Sequence, residues 1–184
     1  MGAGKSAAAA FFSDRCYAVI DADRTAKELM NGDPQMRREI AAAFGRIVVK
    51  DDRIDFRTLG RTAFHSLGAL TRLNGIVHPK LVRHLDGMMK AHDGAGLALD
   101  AALLPLWPLN NRFAPLVWID APFEIRLERL KKRTALAETE LVRRMHIQQE
   151  LVAVPTSERW TIVHNDTTVD NLRRQLSQLI TQAV

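Results

Sequence analysis

The chain has 184 residues, 47% of them hydrophobic, enough for one domain with a sizeable core and too apolar for intrinsic disorder. A single cysteine, Cys16, excludes a disulfide framework and fits a reducing, cytoplasmic setting, and no apolar run approaches the roughly 20 residues that cross a membrane. The net charge is +5, but Lys and Arg alternate with Asp and Glu, as in RLERLKKR over 126–133, which describes a solvated face or a small-polyphosphate pocket rather than a nucleic-acid stripe.

In chain order, Lys5 to Ser13 read as a helix opening on glycines; its AAAAFF core is too short for a signal peptide and follows GKS rather than a basic segment. Tyr17 to Ile20 form a short buried strand. Asp23 caps a helix that stops at Asn31-Gly32, and Asp33-Pro34 starts the next, with Pro at its first position, running to Phe44-Gly45. A connection with Ile47 to Val49 and Asp51-Asp52 follows. A helix begins near Arg57, and Pro79 opens a further one. Leu97 to Asp100 and Leu116 to Asp120 are compact apolar strands. Phe123 to Arg133 and Glu138 to Val152 read as helices, Thr161 to His164 as the last strand, and Thr167 to Ala183 as the final helix. Four strands alternating with helices imply an α/β chain whose parallel sheet is covered on both faces.

The strongest chemical signal is Gly2-Ala3-Gly4-Lys5-Ser6 leading into a helix. Glycines let backbone N–H groups wrap phosphate oxygens, and the helix N-terminus adds its dipole. Lys5 would reach the β/γ phosphates of a nucleotide and the Ser6 hydroxyl would bind Mg2+. The second signal is Asp21-Ala22-Asp23 at the carboxyl end of the next strand, where ligands gather in parallel sheets. Two carboxylates there hold Mg2+ through water, or orient and deprotonate an attacking hydroxyl, and Asp23 doubles as a helix cap. Asp100, closing Leu97-Ala98-Leu99, has the layout of an acid of the Walker-B type.

Arg126, Arg129, Arg133, Arg143 and Arg144 supply cations of the sort that close over a transferring phosphoryl group. Arg129 and Arg133 are four apart and share a helix face, ahead of a turn, as in a mobile lid. His78, before Pro79, reads on its own as structural. No NKxD motif supports a GTPase, no metal-ligand cluster exists, and no nucleophile elbow supports Ser/His/Asp hydrolysis.

Taken together, GAGKS, VIDAD (19–23), FG (44–45), IDFRTL (54–59) with Phe64, VHP (77–79), Asp100 with Leu103-Leu104, RLERLKKR, RRMHIQQ (143–149) and VHN (163–165) resemble the dephospho-CoA kinase family over nearly the whole chain. The resemblance implies a P-loop kinase fold with a five-stranded parallel sheet, of which four strands are visible here. It also implies one domain over 1–184: a core at about 1–33, 93–122 and 156–184, a helical acceptor-binding region at about 34–92 and a lid at about 123–155. The implied reaction moves the γ-phosphate of ATP to the 3′-hydroxyl of the dephospho-CoA ribose, with ATP and Mg2+ required. The expected partners are these small molecules, with no nucleic acid or membrane, and the expected state is a monomer or weak homo-oligomer.

In residues, the resemblance implies ATP contacts from Gly2, Ala3, Gly4, Lys5, Ser6, Ala7, Arg129 and Arg133, with Asn165 near the adenine and Gln148 in the lid. Asp23 would act on the ribose hydroxyl and share Mg2+ with Ser6. Asp21, Arg57, His78 and Asp100 would belong to the acceptor side, and Lys5 and Arg133 would assist transfer. The sequence departs from the family pattern where a Glu is usual after the third strand (Ala102 to Leu106 lack it), at Phe56, where Arg57 stands beside an expected Arg, and at Asp166. These departures bear on acceptor affinity more than on ATP binding. The full loop pattern also needs a glycine upstream of Met1. Met1 is therefore expected to be internal to a Gly-Gly-Met-Gly-Ala-Gly-Lys-Ser loop, with about ten preceding residues that carry a central strand. Losing about five buried apolar residues there would cost roughly 1.5–3 kcal/mol each. Another small-molecule kinase of the same fold and a non-catalytic nucleotide-binding protein remain as alternatives.

Overall fold

The computed structural model describes residues 1–94 and 96–182. The chain divides into two compact units, one made of 1–20, 94–142 and 152–184, the other of 21–93 and 143–151. The architecture is α/β, with parallel strands and flanking helices.

In the first unit, α1 (Lys5–Ser13) is built from an alanine run that favours helix, and it turns Ala8 and Phe11 inward. These two residues form a core cluster with Val163, Leu172 and Leu176, and Ile119 and Val117 pack on its margin. Burying a Phe or Leu fully is worth about 1.5–3 kcal/mol, so this cluster anchors the helix start. Val163 comes from β6 (Trp160–His164), which pairs in parallel with β5 (Leu116–Asp120), Ile119 facing Val163 and Asp120 facing His164. Leu172 and Leu176 come from α8 (Val169–Gln182). The expected end of that helix at Ala183 lies outside the described residues. A second strand pair joins β1 (Ala18–Asp21) to β4 (Leu97–Asp100). Beside it, the Tyr17 ring lies against Gly96, where a Cβ would approach it to 2.8 Å. α6 (Phe123–Lys131) follows β5 and ends two residues before the expected Arg133, and α7 (Glu138–Leu151) follows it.

The second unit is mainly helical. α2 (Ala22–Gly32) and α3 (Pro34–Phe44) are followed by a hairpin of two-residue strands, β2 (Val49–Lys50) and β3 (Arg53–Ile54). Asp51 and Asp52 turn that hairpin with φ of 49° and 56°, a conformation Asp adopts more readily than most residues. α4 (Phe56–Ala63) and α5 (Leu67–Ala91) complete the unit.

Two sequence expectations are corrected here. The cap of α2 is Asp21, whose carboxylate accepts from the Arg24 N–H at 3.0 Å; Asp23 lies in the first turn of the helix. Pro79 does not open a helix but lies inside α5. Its ring should clash with the carbonyl of residue 75 and it removes one hydrogen bond there. Residue 75 is an exposed glycine with open space around its Cβ position, so water is at hand for a released carbonyl.

Candidate functional site

The glycine turn at the head of α1 is the most constrained stretch of the first unit. Gly2 and Gly4 have φ of +73° and +109°, which side-chain-bearing residues rarely adopt. Space is closed as well as torsion. A Cβ on Gly2 would come within 2.7 Å of the Arg126 carbonyl oxygen, and one on Gly4 within 2.0 Å of Asn165 Nδ2. Gly4 is the N-cap of α1, yet no side chain caps the helix and its first turn holds no acid. The helix dipole therefore faces whatever approaches the turn.

Lys5 leaves the first turn of α1 and its ammonium pairs with the Asp100 carboxylate at the end of β4. Asp100 is 13% exposed and Lys5 35%, so the pair sits at the rim of the interior. Ser6 is exposed beside it and Ala7 is half-buried. Residues 95 apart in sequence are thus joined, and the strand-end acid and the loop lysine form one unit.

Asn165, just past β6, holds the turn from the other side. It is 5% exposed. Its backbone N–H donates to the Asp120 carbonyl at 2.7 Å, which extends the β5–β6 ladder. Its side-chain amide donates to the Ala3 carbonyl at 2.7 Å and accepts from Arg129 Nη2 at 3.5 Å. A carbonyl can only accept and a guanidinium only donate, so the amide has one sensible orientation. Arg129 Nη1 and Arg126 Nε are buried and find no hydrogen-bond partner among the described residues. Unpaired buried donors of this kind are uncommon, and two next to a glycine turn are the arrangement an anion completes.

Among known proteins, a family model described as dephospho-CoA kinase matches residues 1–171. The chain belongs to the dephospho-CoA kinase family. A dephospho-CoA kinase of Bacillus licheniformis is 30% identical over 98% of this chain and 91% of its own, and one of Corynebacterium glutamicum is 30% identical over 99% and 92%. In fold, the chain matches the crystal structure of TT1252 from Thermus thermophilus with a TM-score of 0.73, at 24% identity, over all of this chain and 94% of that one. It matches a dephospho-CoA kinase from Campylobacter jejuni with a TM-score of 0.62, at 20% identity, over 99% and 92%. These likenesses give the family's P-loop kinase architecture.

Of the residues expected to act, Gly2, Ala3, Gly4, Lys5, Asp100, Arg129 and Asn165 are brought into direct or one-step contact within the first unit. Arg133, just beyond α6, is exposed. Asp21, Asp23, Arg57 and His78 belong to the second unit. There Asp21 and Asp23 stand at the start of α2, and Arg57 is exposed in the first turn of α4, capped by Asp55. Burial pushes the half-buried His78 imidazole below its ordinary value, which favours the neutral ring. Arg144 lies over the Phe64 ring, 5.2 Å from its centre, and so holds α7 residues 143–151 to α4. Sequence reasoning named Arg126 among the cations but not its closeness to Gly2, which is largely a matter of backbone and carries no residue signature. Among the described residues no helix is long and apolar enough to cross a membrane.

Proposed function

We propose that this chain is a dephospho-CoA kinase that transfers the γ-phosphate of ATP to the 3′-hydroxyl of the dephospho-CoA ribose. The observation that carries the reading is the glycine turn at the head of an uncapped helix, with Lys5 held against Asp100. Two positive-φ glycines open the turn's backbone to close approach, and the unpaired donors of Arg126 and Arg129 add charge beside it. That donor set fits an anion such as a triphosphate.

In this reading Gly2 to Ser6, with Ala7, cradle the β and γ phosphates, and Lys5 offsets the charge that builds on the transferring group. Arg129 and Arg133 add cations to the same end. Among the described residues no group of three or more His, Cys, Asp or Glu is gathered to hold a metal ion. Mg2+ would therefore be held mainly by phosphate oxygens and water, with the Ser6 hydroxyl and, through water, Asp23 as protein partners. When bound, the ion supplies charge neutralisation. Asp23 accepts a hydrogen bond from the ribose hydroxyl and takes its proton as the oxygen attacks. Asp21, Arg57, His78 and Asp100 are assigned to the acceptor side.

ADP release should be measured with dephospho-CoA, nucleosides and nucleoside monophosphates as acceptors. Turnover confined to dephospho-CoA is expected, and a preference for a nucleoside would replace the substrate. ATP binding without turnover on any acceptor would favour a non-catalytic nucleotide-binding protein, a reading supported by the absence of an acid across Ala102 to Leu106. Asp23→Asn should lower kcat by about 100-fold or more with ATP affinity kept. Full activity in that variant would remove its role.

A further inference from the structure

We infer that Asn165 is a positioning residue that sets the shape of the phosphate turn and the aim of Arg129, rather than a contact to the adenine base. The inference rests on the kinase reading for its nucleotide, but its geometry stands apart from the acceptor.

Three of Asn165's polar groups are already engaged inside the protein. The backbone N–H goes to Asp120, the amide N–H to Ala3, and the amide oxygen takes Arg129. A side chain that is 5% exposed and held at both ends has little left to offer a base. Its neighbours explain why it is there. The Ala3 carbonyl lies between two positive-φ glycines, and Asn165 Nδ2–H satisfies it at 2.7 Å. Among the described residues Arg129 is held through Nη2 alone, which leaves its buried Nη1 directed by that one contact and open to an anion. At 3.5 Å the Arg129 contact is long, so it orients more than it binds; the 2.7 Å bond to Ala3 is the firm end of the clamp. The lack of any side chain on Gly4 is the matching half, because a methyl there would occupy the place of Nδ2.

Asn165→Leu keeps the volume and removes both amide contacts. Binding of Mg-ATP and Mg-ITP, which differ only in the base, should be measured for wild type, Asn165→Leu, Arg129→Met and the double variant, with thermal melting of each. Both nucleotides should weaken together in Asn165→Leu, by roughly 10- to 100-fold, the scale of losing a buried hydrogen bond's partner. The ATP-to-ITP ratio should stay at its wild-type value. The double variant should bind more tightly than the product of the two single losses, because Asn165 acts partly through Arg129. A changed ATP-to-ITP ratio, wild-type affinity in Asn165→Leu, or strictly multiplicative losses would each overturn the inference. If Asn165→Leu lowers its melting temperature, Asn165→Gln, which keeps the amide but misplaces it, should still weaken both nucleotides; wild-type binding there would also overturn it. Absence of turnover on dephospho-CoA in wild type would remove the substrate reading and leave these binding results standing.

Discussion

The turn of the first unit and the helix starts of the second use polar side chains in opposite ways. Around Gly2 to Gly4, Asn165 is turned inward to hold the Ala3 backbone carbonyl, and its other end takes Arg129. In the second unit, Asp21, Asp33 and Asp55 stand just before the first residues of α2, α3 and α4, and each accepts one or two N–H groups that a regular helix leaves over. The first arrangement builds a particular irregular shape, and the second finishes a generic one. Substitutions should therefore be costly and specific around the turn, and mild and replaceable at the caps.

The largest expected effect is at Lys5. Lys5→Ala should reduce phosphoryl transfer by about 100- to 1,000-fold, the usual loss for one charge-stabilising donor. It also leaves Asp100, its half of the ion pair, without that partner. ADP release by the variant, with circular dichroism to show a kept fold, tests this; turnover within tenfold of wild type would break the comparison at its strongest point.

Glycine offers a cleaner contrast, because the same change should have opposite signs in the two regions. Gly4→Ala meets both a φ of +109° and a 2.0 Å approach to Asn165, and should destabilise by about 2–4 kcal/mol in urea unfolding. Gly87→Ala lies inside α5 with nothing within 4 Å, and should stabilise by about 0.5–1 kcal/mol. Equal effects at the two sites would remove the distinction.

The smallest effect concerns pH. Burial lowers the His78 pKa in the folded state, so below its ordinary value near 6.5 the unfolded chain binds more protons than the folded one. Stability from this residue is whole above that value and is lost as the pH falls through the folded pKa. His78→Leu should show a shallower loss of stability between pH 7.5 and 5.5 than wild type, measured by thermal melting. An unchanged slope would place the acid sensitivity elsewhere.

Much of this was legible in the residues. Glycines before GKS specify a turn and a helix, Asp33-Pro34 starts α3 as expected, and the apolar runs ending in Asp100 and Asp120 are strands. What escaped reading depended on partners far away or on missing atoms. Asp21 and Asp23 are equally good caps by type, and the choice fell to the residue at the end of β1 with its extended backbone. Pro79 breaks a helix in most contexts, and an exposed glycine four residues earlier leaves room for α5 to pass through it. The hairpin at 49–54 has strands of two residues, too short for any period to show. Asn165 was named for the site by its place in VHN, but its partners were not, since Ala3 and Arg129 lie 162 and 36 residues away.

That last span has a consequence for synthesis. A nascent chain still short of residue 165 has made Ala3 and its glycines long before, yet lacks the amide that fixes them. Nucleotide capture by the emerging protein should thus switch on late, when β6 and its following residue leave the ribosome. On the kinase reading, a half-made chain would not sequester ATP.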